Sequence, residues 1–150
     1  MTHCPSRRTV VRLALAAPLA LRLSPAAATP EAFRAALDDF TGGAPMTEGR
    51  VTLDVPLLVE NGNAVPLKVS VESPMTAEDF VEEVAIFNEL NPRPDVIRFH
   101  FTPRSGRAAA ETRIRLNGTQ NVHAVARMSD GSLWSAVTDV IVTAPACAES

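Results

Sequence analysis

From residue 51 onward the apolar side chains fall at every second position, and this period of two dominates what the chain can fold into. Val51, Leu53 and Val55 alternate with Thr52 and Asp54, and Val65, Leu67, Val69 and Val71 alternate with Lys68 and Ser70. Successive side chains of an extended strand point to opposite faces, so the alternation describes strands with one buried and one wet face. Ile97, Phe99 and Phe101 repeat it around Arg98 and His100, as do Ala110, Thr112, Ile114 and Leu116 around Glu111, Arg113 and Arg115. Val122, Ala124 and Ala126 begin another strand, and Leu133 to Val142 is a long apolar stretch. Turn residues separate these runs: Asn61-Gly62-Asn63, Asn117-Gly118 and Asp130-Gly131. Asn and Gly accept positive φ at low cost, and Asn117-Gly118 directly after an alternating run predicts a hairpin into the strand of Val122.

Residues 80–90 read two ways. Phe80, Val84 and Phe87 fit a helix face, whereas Glu82, Val84, Ile86 and Asn88 fit one side of a strand. A strand is expected, because Asn91-Pro92-Arg93-Pro94 stops it and strands surround it. Seven strands spaced near ten residues predict an all-β fold, an immunoglobulin-like antiparallel β-sandwich of about seven strands. The Cys…Trp…Cys signature of antibody domains is missing, so the expectation concerns architecture alone.

One helix precedes the strands. Thr29 suits the N-cap and Pro30 the first helical position, Phe33, Leu37 and Phe40 recur at helical spacing, and Gly42-Gly43 supplies the stop. A chain of 150 residues has room for one such domain.

Ahead of the helix, Ser6-Arg7-Arg8-Thr9-Val10-Val11-Arg12 runs into an Ala/Leu-rich stretch from Val10 to Leu23, followed by Ala26-Ala27-Ala28. Basic residues, an apolar run and a small-residue cleavage site in that order describe an export signal, and the paired arginines the twin-arginine type. The apolar run is too short and interrupted to span a bilayer. The expected organisation is a cleaved signal over 1–28, helix and linker over 29–48, the sandwich over 49–143 and a tail over 144–150. The mature chain is expected in the periplasm, with no membrane contact after cleavage.

Loss of the signal removes Arg7, Arg8, Arg12 and Arg22, leaving ten basic residues against 17 acidic, a formal charge near −7. Nucleic-acid binding rests on clustered Lys and Arg, and single strands are read on aromatic platforms. With 5% aromatic residues, no Tyr and this acidity, no nucleic-acid partner is expected.

The chemistry-bearing residues are few. His100 and His123 are the mature histidines, both at outward strand positions; they are read as solvated rather than metal ligands, and no metal site is expected. Neither G-x-S-x-G nor H-E-x-x-H occurs, which weighs against those hydrolases. Asn117-Gly118-Thr119 matches a glycosylation sequon, although a turn explains it better. Arg104, Arg107, Arg113 and Arg115 read as a solvated face, with an acidic partner as the alternative.

The two cysteines exclude a disulfide-dense scaffold. Cys4 leaves with the signal, so Cys147 is the thiol of the mature chain, the fourth residue counted back from the last. Small residues surround it in Ala144-Pro145-Ala146-Cys147-Ala148-Glu149-Ser150. A thiol on a tail beyond the sandwich suits a covalent carrier better than a catalyst, which needs fixed neighbours. A sandwich that binds other proteins, with the cysteine incidental, is the alternative.

Several segments together resemble the SoxY sulfur-oxidation carrier proteins. They are Leu53-Asp54-Val55-Pro56, Glu60-Asn61-Gly62-Asn63-Ala64-Val65-Pro66 and Val69-Ser70-Val71-Glu72-Ser73-Pro74-Met75-Thr76. Further on come Phe99-His100-Phe101-Thr102-Pro103, Thr112-Arg113-Ile114-Arg115-Leu116, Thr119-Gln120-Asn121-Val122 and Met128-Ser129-Asp130-Gly131. The likeness spans roughly residues 30 to 143 in the same order, together with the export signal.

The resemblance implies an immunoglobulin-like domain that pairs with a SoxZ-like subunit, needs no cofactor and is not itself an enzyme. It implies that a c-type cytochrome enzyme joins thiosulfate oxidatively to the tail cysteine and that a hydrolase then releases sulfate. Cys147 matches the family's attachment cysteine. The family's Gly-Gly-Cys-Gly-Gly tail is replaced here by Ala144-Pro145-Ala146-Cys147-Ala148-Glu149-Ser150, so every flanking glycine is lost. Glycines make a slim, freely turning arm; Pro145 stiffens it, and Glu149 adds negative charge near the thiol. Obligate pairing further implies that the isolated sandwich exposes an apolar patch or an unpaired strand edge.

Overall fold

The structure, a computed structural model, describes residues 28–146. The expected export signal up to Ala27, and Cys147, lie outside the described residues. Helix α1 (Pro30–Thr41) precedes nine strands: β1 (Thr47–Glu48), β2 (Val51–Asp54), β3 (Leu58–Val59), β4 (Val65–Val71), β5 (Val81–Asn88), β6 (Asp95–His100), β7 (Ala108–Ile114), β8 (Gln120–Met128) and β9 (Leu133–Val142). Among the described residues no helix is long and apolar enough to cross a membrane.

The strands form a sandwich of two sheets, as the alternation predicts. The larger runs β1-β9-β8-β5-β6, with β3 added on β9, and the smaller runs β2-β4-β7. The two strands beyond the expected seven are the two-residue β1 and β3, both parallel to β9, while all other pairs are antiparallel. Val65, Leu67, Val69 and Val71 of β4 meet Val84 and Ile86 of β5 and Val122, Ala124 and Ala126 of β8 in one core between the sheets.

Helix α1 begins and ends where its local signals place it. Thr29 Oγ1 accepts from Ala32 N at 3.1 Å, and Gly42, at φ 64°, donates its amide to Asp38 O at 2.7 Å. The helix lies on the outer face of the larger sheet, where Phe33, Ala36, Leu37 and Phe40 pack on Ala85, Phe87, Val125 and Leu133. This second cluster resolves the ambiguity at 80–90. Strand β5 is buried on both faces, so its apolar residues lose the clean alternation of a half-wet strand.

One expectation is overturned. Asn117-Gly118 does not turn a hairpin, because β7 pairs with β4 in the smaller sheet and β8 with β5 and β9 in the larger. The segment is an arch from one sheet to the other. Its amides are taken elsewhere: Leu116 N donates to Gly62 O at 2.8 Å and Asn117 N to Asn91 Oδ1 at 3.2 Å. Asp130-Gly131 does turn a hairpin, joining β8 to β9 with Arg127 opposite Leu133.

Candidate functional site

The candidate site is the end of the sandwich from which the chain runs to Cys147. Four segments meet there: the Asn61-Gly62-Asn63 turn, the arch after β7, the loop after β5 and the chain leaving β9. Asn61 Oδ1 closes the first turn by accepting from Asn63 N at 2.9 Å. Beyond β9, Thr143 N donates to Val59 O at 2.9 Å, Gly62 N to Ala144 O at 2.8 Å, and Ala146 N to Leu116 O at 3.0 Å. Ala146 is buried at 6% exposure, while Thr143, Ala144 and Pro145 remain on the surface.

The chain is therefore held to the body through Ala146, three residues past the end expected for the sandwich. Short-range pattern could not show it, because the partners of these residues lie some 30 to 80 positions back along the chain.

Amide side chains brace the same end. Asn88 and Asn91 donate through Nδ2 to Arg115 O at 3.2 and 2.7 Å, and Gln120 Nε2 reaches Asn91 Oδ1 at 3.2 Å. Gln120 Oε1 accepts from Leu90 N at 2.8 Å, and Thr119 Oγ1 from Val142 N at 3.0 Å. Thr119 thus secures β9 to the arch, which accounts for the Thr of the sequon. Asn88 is fully buried, and its Oδ1 has no hydrogen-bond partner among the described residues.

The histidines stand apart. His100 is exposed on β6, 3.7 Å from Glu83. His123 is not solvated as expected: it is half-buried, its Nε2 is 2.8 Å from Glu89 Oε1, and its ring lies 4.8 Å from that of Phe33. It does face outward from the sheet, but α1 covers that face. Among the described residues no three His, Cys, Asp or Glu side chains gather to hold a metal. Arg104, Arg107 and Arg113 are exposed. Arg107 borders a hollow of about 260 Å³ on the smaller sheet together with Asp54, Lys68 and Glu111, so charges of both signs share that face.

Sequence pattern also missed a charge cluster under α1. Glu83, 8% exposed, is 3.2 Å from Arg127 Nη1 and 3.8 Å from Arg98 Nη1. Arg98 also meets Asp95 at 2.6 Å and Asp39 of the helix at 3.6 Å. The hydrogen bond to Asp95, outweighing desolvation, raises the Arg98 pKa above its ordinary value. Alternating Glu83, Arg98 and Arg127 carry no signal that their strands are neighbours.

The fold and this end of the molecule define a two-sheet β-sandwich whose chain, as far as Ala146, is secured at one rim. A profile of the family described as sulfur oxidation protein SoxY matches residues 37–147, and the chain belongs to that family. Among solved structures, the sulfur carrier protein SoxY from Chlorobium limicola f thiosulfatophilum is 28% identical, with a TM-score of 0.64 over 77% of this chain and 99% of that one. Superoxide reductase (neelaredoxin) from Ignicoccus hospitalis is 18% identical, with a TM-score of 0.56 over 63% of this chain and 80% of that one. Superoxide reductase from Nanoarchaeum equitans is 13% identical, with a TM-score of 0.55 over 65% and 100% respectively. The last two share the fold. No curated protein sequence matches the chain.

Proposed function

We propose that this chain is a covalent carrier of sulfur intermediates in thiosulfate oxidation, with the cargo attached through Cys147. The observation that carries the proposal is the extent of the family match, which runs through the sandwich to residue 147 and takes in the cysteine. The solved SoxY relative is itself described as a sulfur carrier protein and matches over nearly its whole length.

The chemistry asks for a thiolate and partner enzymes. Cysteine thiolate joins the sulfane sulfur of thiosulfate, forming one S–S bond and releasing two electrons to a c-type cytochrome enzyme. Water then attacks the terminal sulfonate, catalysed by a hydrolase; sulfate and two protons leave, and a persulfide stays on the carrier. The chain supplies the nucleophile and the recognition surface. It acts in the periplasm after loss of residues 1–28, as a complex with a SoxZ-like subunit, and is not itself an enzyme.

The test is the intact mass of the protein from thiosulfate-fed cells, before and after reduction. Reductant-labile sulfur adducts are expected on Cys147 and not on a Cys147→Ser chain. A bare Cys147 under these conditions overturns the carrier role and leaves a sandwich module that binds other proteins.

A further inference from the structure

We infer that Gly62 is a positioning residue for the cargo cysteine: it fixes the root of the C-terminal arm on the rim of the sandwich. The inference rests on the role proposed for Cys147, while the contacts that carry it join Gly62, Leu116, Ala144 and Ala146. Three main-chain segments close on one another at this point. Gly62 N donates to Ala144 O at 2.8 Å, Leu116 N to Gly62 O at 2.8 Å, and Ala146 N to Leu116 O at 3.0 Å.

A Cβ at residue 62 would stand 2.3 Å from Leu116 O, 2.8 Å from Ala146 N and 3.3 Å from Ala144 O. All three are backbone atoms, so none can swing aside as a side-chain end does. The φ of Gly62 is not in the left-handed region that favours glycine, unlike those of Gly42 and Gly131. Glycine is required here for close approach. The arm's root exists because the turn opposite it has no side chain.

The residues ahead of the cysteine act in the same direction. Ala146 is buried, and Pro145 has a fixed φ. A glycine-flanked arm of the usual family type has free rotation on both sides of its cysteine. Here the cysteine follows directly on an anchored residue.

Gly62→Ala in the full mature chain tests this with two readouts. Hydrogen exchange at the Ala146 amide is expected to quicken by about tenfold or more, as a lost hydrogen bond implies. Labelling of Cys147 by a maleimide carried on a bulky polymer is expected to rise several-fold relative to labelling by iodoacetamide. A merely structural role for Gly62 leaves that ratio unmoved. An unchanged ratio overturns the proposal, whether or not exchange at Ala146 quickens.

If Gly62→Ala fails to fold, insertion of Gly-Gly between Ala146 and Cys147 keeps the junction and lengthens the arm. The bulky-to-compact ratio is then expected to rise while Ala146 exchange stays as in the parent, and an unchanged ratio overturns the proposal. Thiol reagents report on the junction whether or not sulfur is carried, so its failure is distinct from failure of the carrier role.

Discussion

Phe40, in the last turn of α1, lies beneath the guanidinium of Arg127 on β8, with Cζ 4.5 Å from the ring centroid. The same guanidinium donates through Nη2 to the backbone carbonyl of Phe40 and through Nη1 to Glu83. One side chain therefore covers the aromatic ring, takes up a helix-end carbonyl that has no partner within the helix, and places positive charge at the negative end of the helix dipole. A second cation, Arg98, lies 5.3 Å from the same ring, and Phe87 meets it edge-on at 5.8 Å. Phe40 is the buried residue of helix α1.

Phe40→Ala follows from that. At 1% exposure the ring is wholly buried, and truncation loses both its transfer energy and the packing around it. A loss of about 3 kcal/mol or more is expected in urea unfolding. A loss below about 1 kcal/mol means that α1 is not held to the sheet by this contact.

Glu83→Gln addresses the charge under the ring. The carboxylate is nearly buried while Arg98 and Arg127 are each about one-third exposed, at 33% and 34% of their side-chain surface. Neutralising it leaves two guanidinium groups beside each other with less compensation. A cost of about 1–3 kcal/mol is expected, below that of a fully buried pair because water screens the arginines. The cost should shrink in an Arg127→Met background if the two groups are coupled. Equal costs in both backgrounds disprove the coupling.

These two clusters also mark where sequence pattern stops being informative. Helix α1 was legible because Thr29, Pro30 and Gly42 act on neighbours within one turn, and strand alternation was legible because each side chain reports its own face. Asn117-Gly118 specifies only a bend, while which strand lies beside β7 is decided by the packing of the two sheets. His123 was misjudged because its outward face is covered by a helix about 90 residues earlier. The anchoring of Ala146 was hidden for the same reason: its partner, Leu116, and Gly62 beside it are distant in sequence. For the candidate site, Cys147 is proposed from the chain alone, whereas the contacts of Ala146 that precede it are not legible there.

The β8–β9 hairpin gives an acid-side prediction. Asp130 accepts from Ser132 N at 2.8 Å, and hydrogen bonds from Ser132, hydroxyl first and amide second, hold its carboxyl below the usual aspartate range. A folded-state pKa lower than the unfolded one gives stability that is present above the unfolded value and lost as pH falls through the folded value. In Asp130→Ala, the gap in urea midpoint from the parent is therefore expected at neutral pH and should close in acid below the ordinary aspartate range. The group is fully exposed, so the gap is small. A gap that persists unchanged in strong acid assigns it to turn geometry instead of charge.

The last prediction concerns the chain on its own. Leu58 pairs with Ile141, and these side chains are 61% and 51% exposed; Leu57 is 67% exposed and accepts from Ile141 N. Val137, two positions of the same parity before Ile141 on β9, is 54% exposed. Among the described residues strands β6 and β7 each pair on one side only. Apolar side chains grouped at the surface and open strand edges both favour self-association. Leu58→Gln with Ile141→Thr removes two of these four apolar side chains while keeping a strand-forming residue on β9. Sedimentation velocity at rising concentration is expected to show less association than the parent, with the urea midpoint nearly unchanged because neither residue belongs to the core. Equal association in the two chains shifts the cause to the β6 and β7 edges, where a lysine replacing Ala109, exposed on β7, is the next variant to measure.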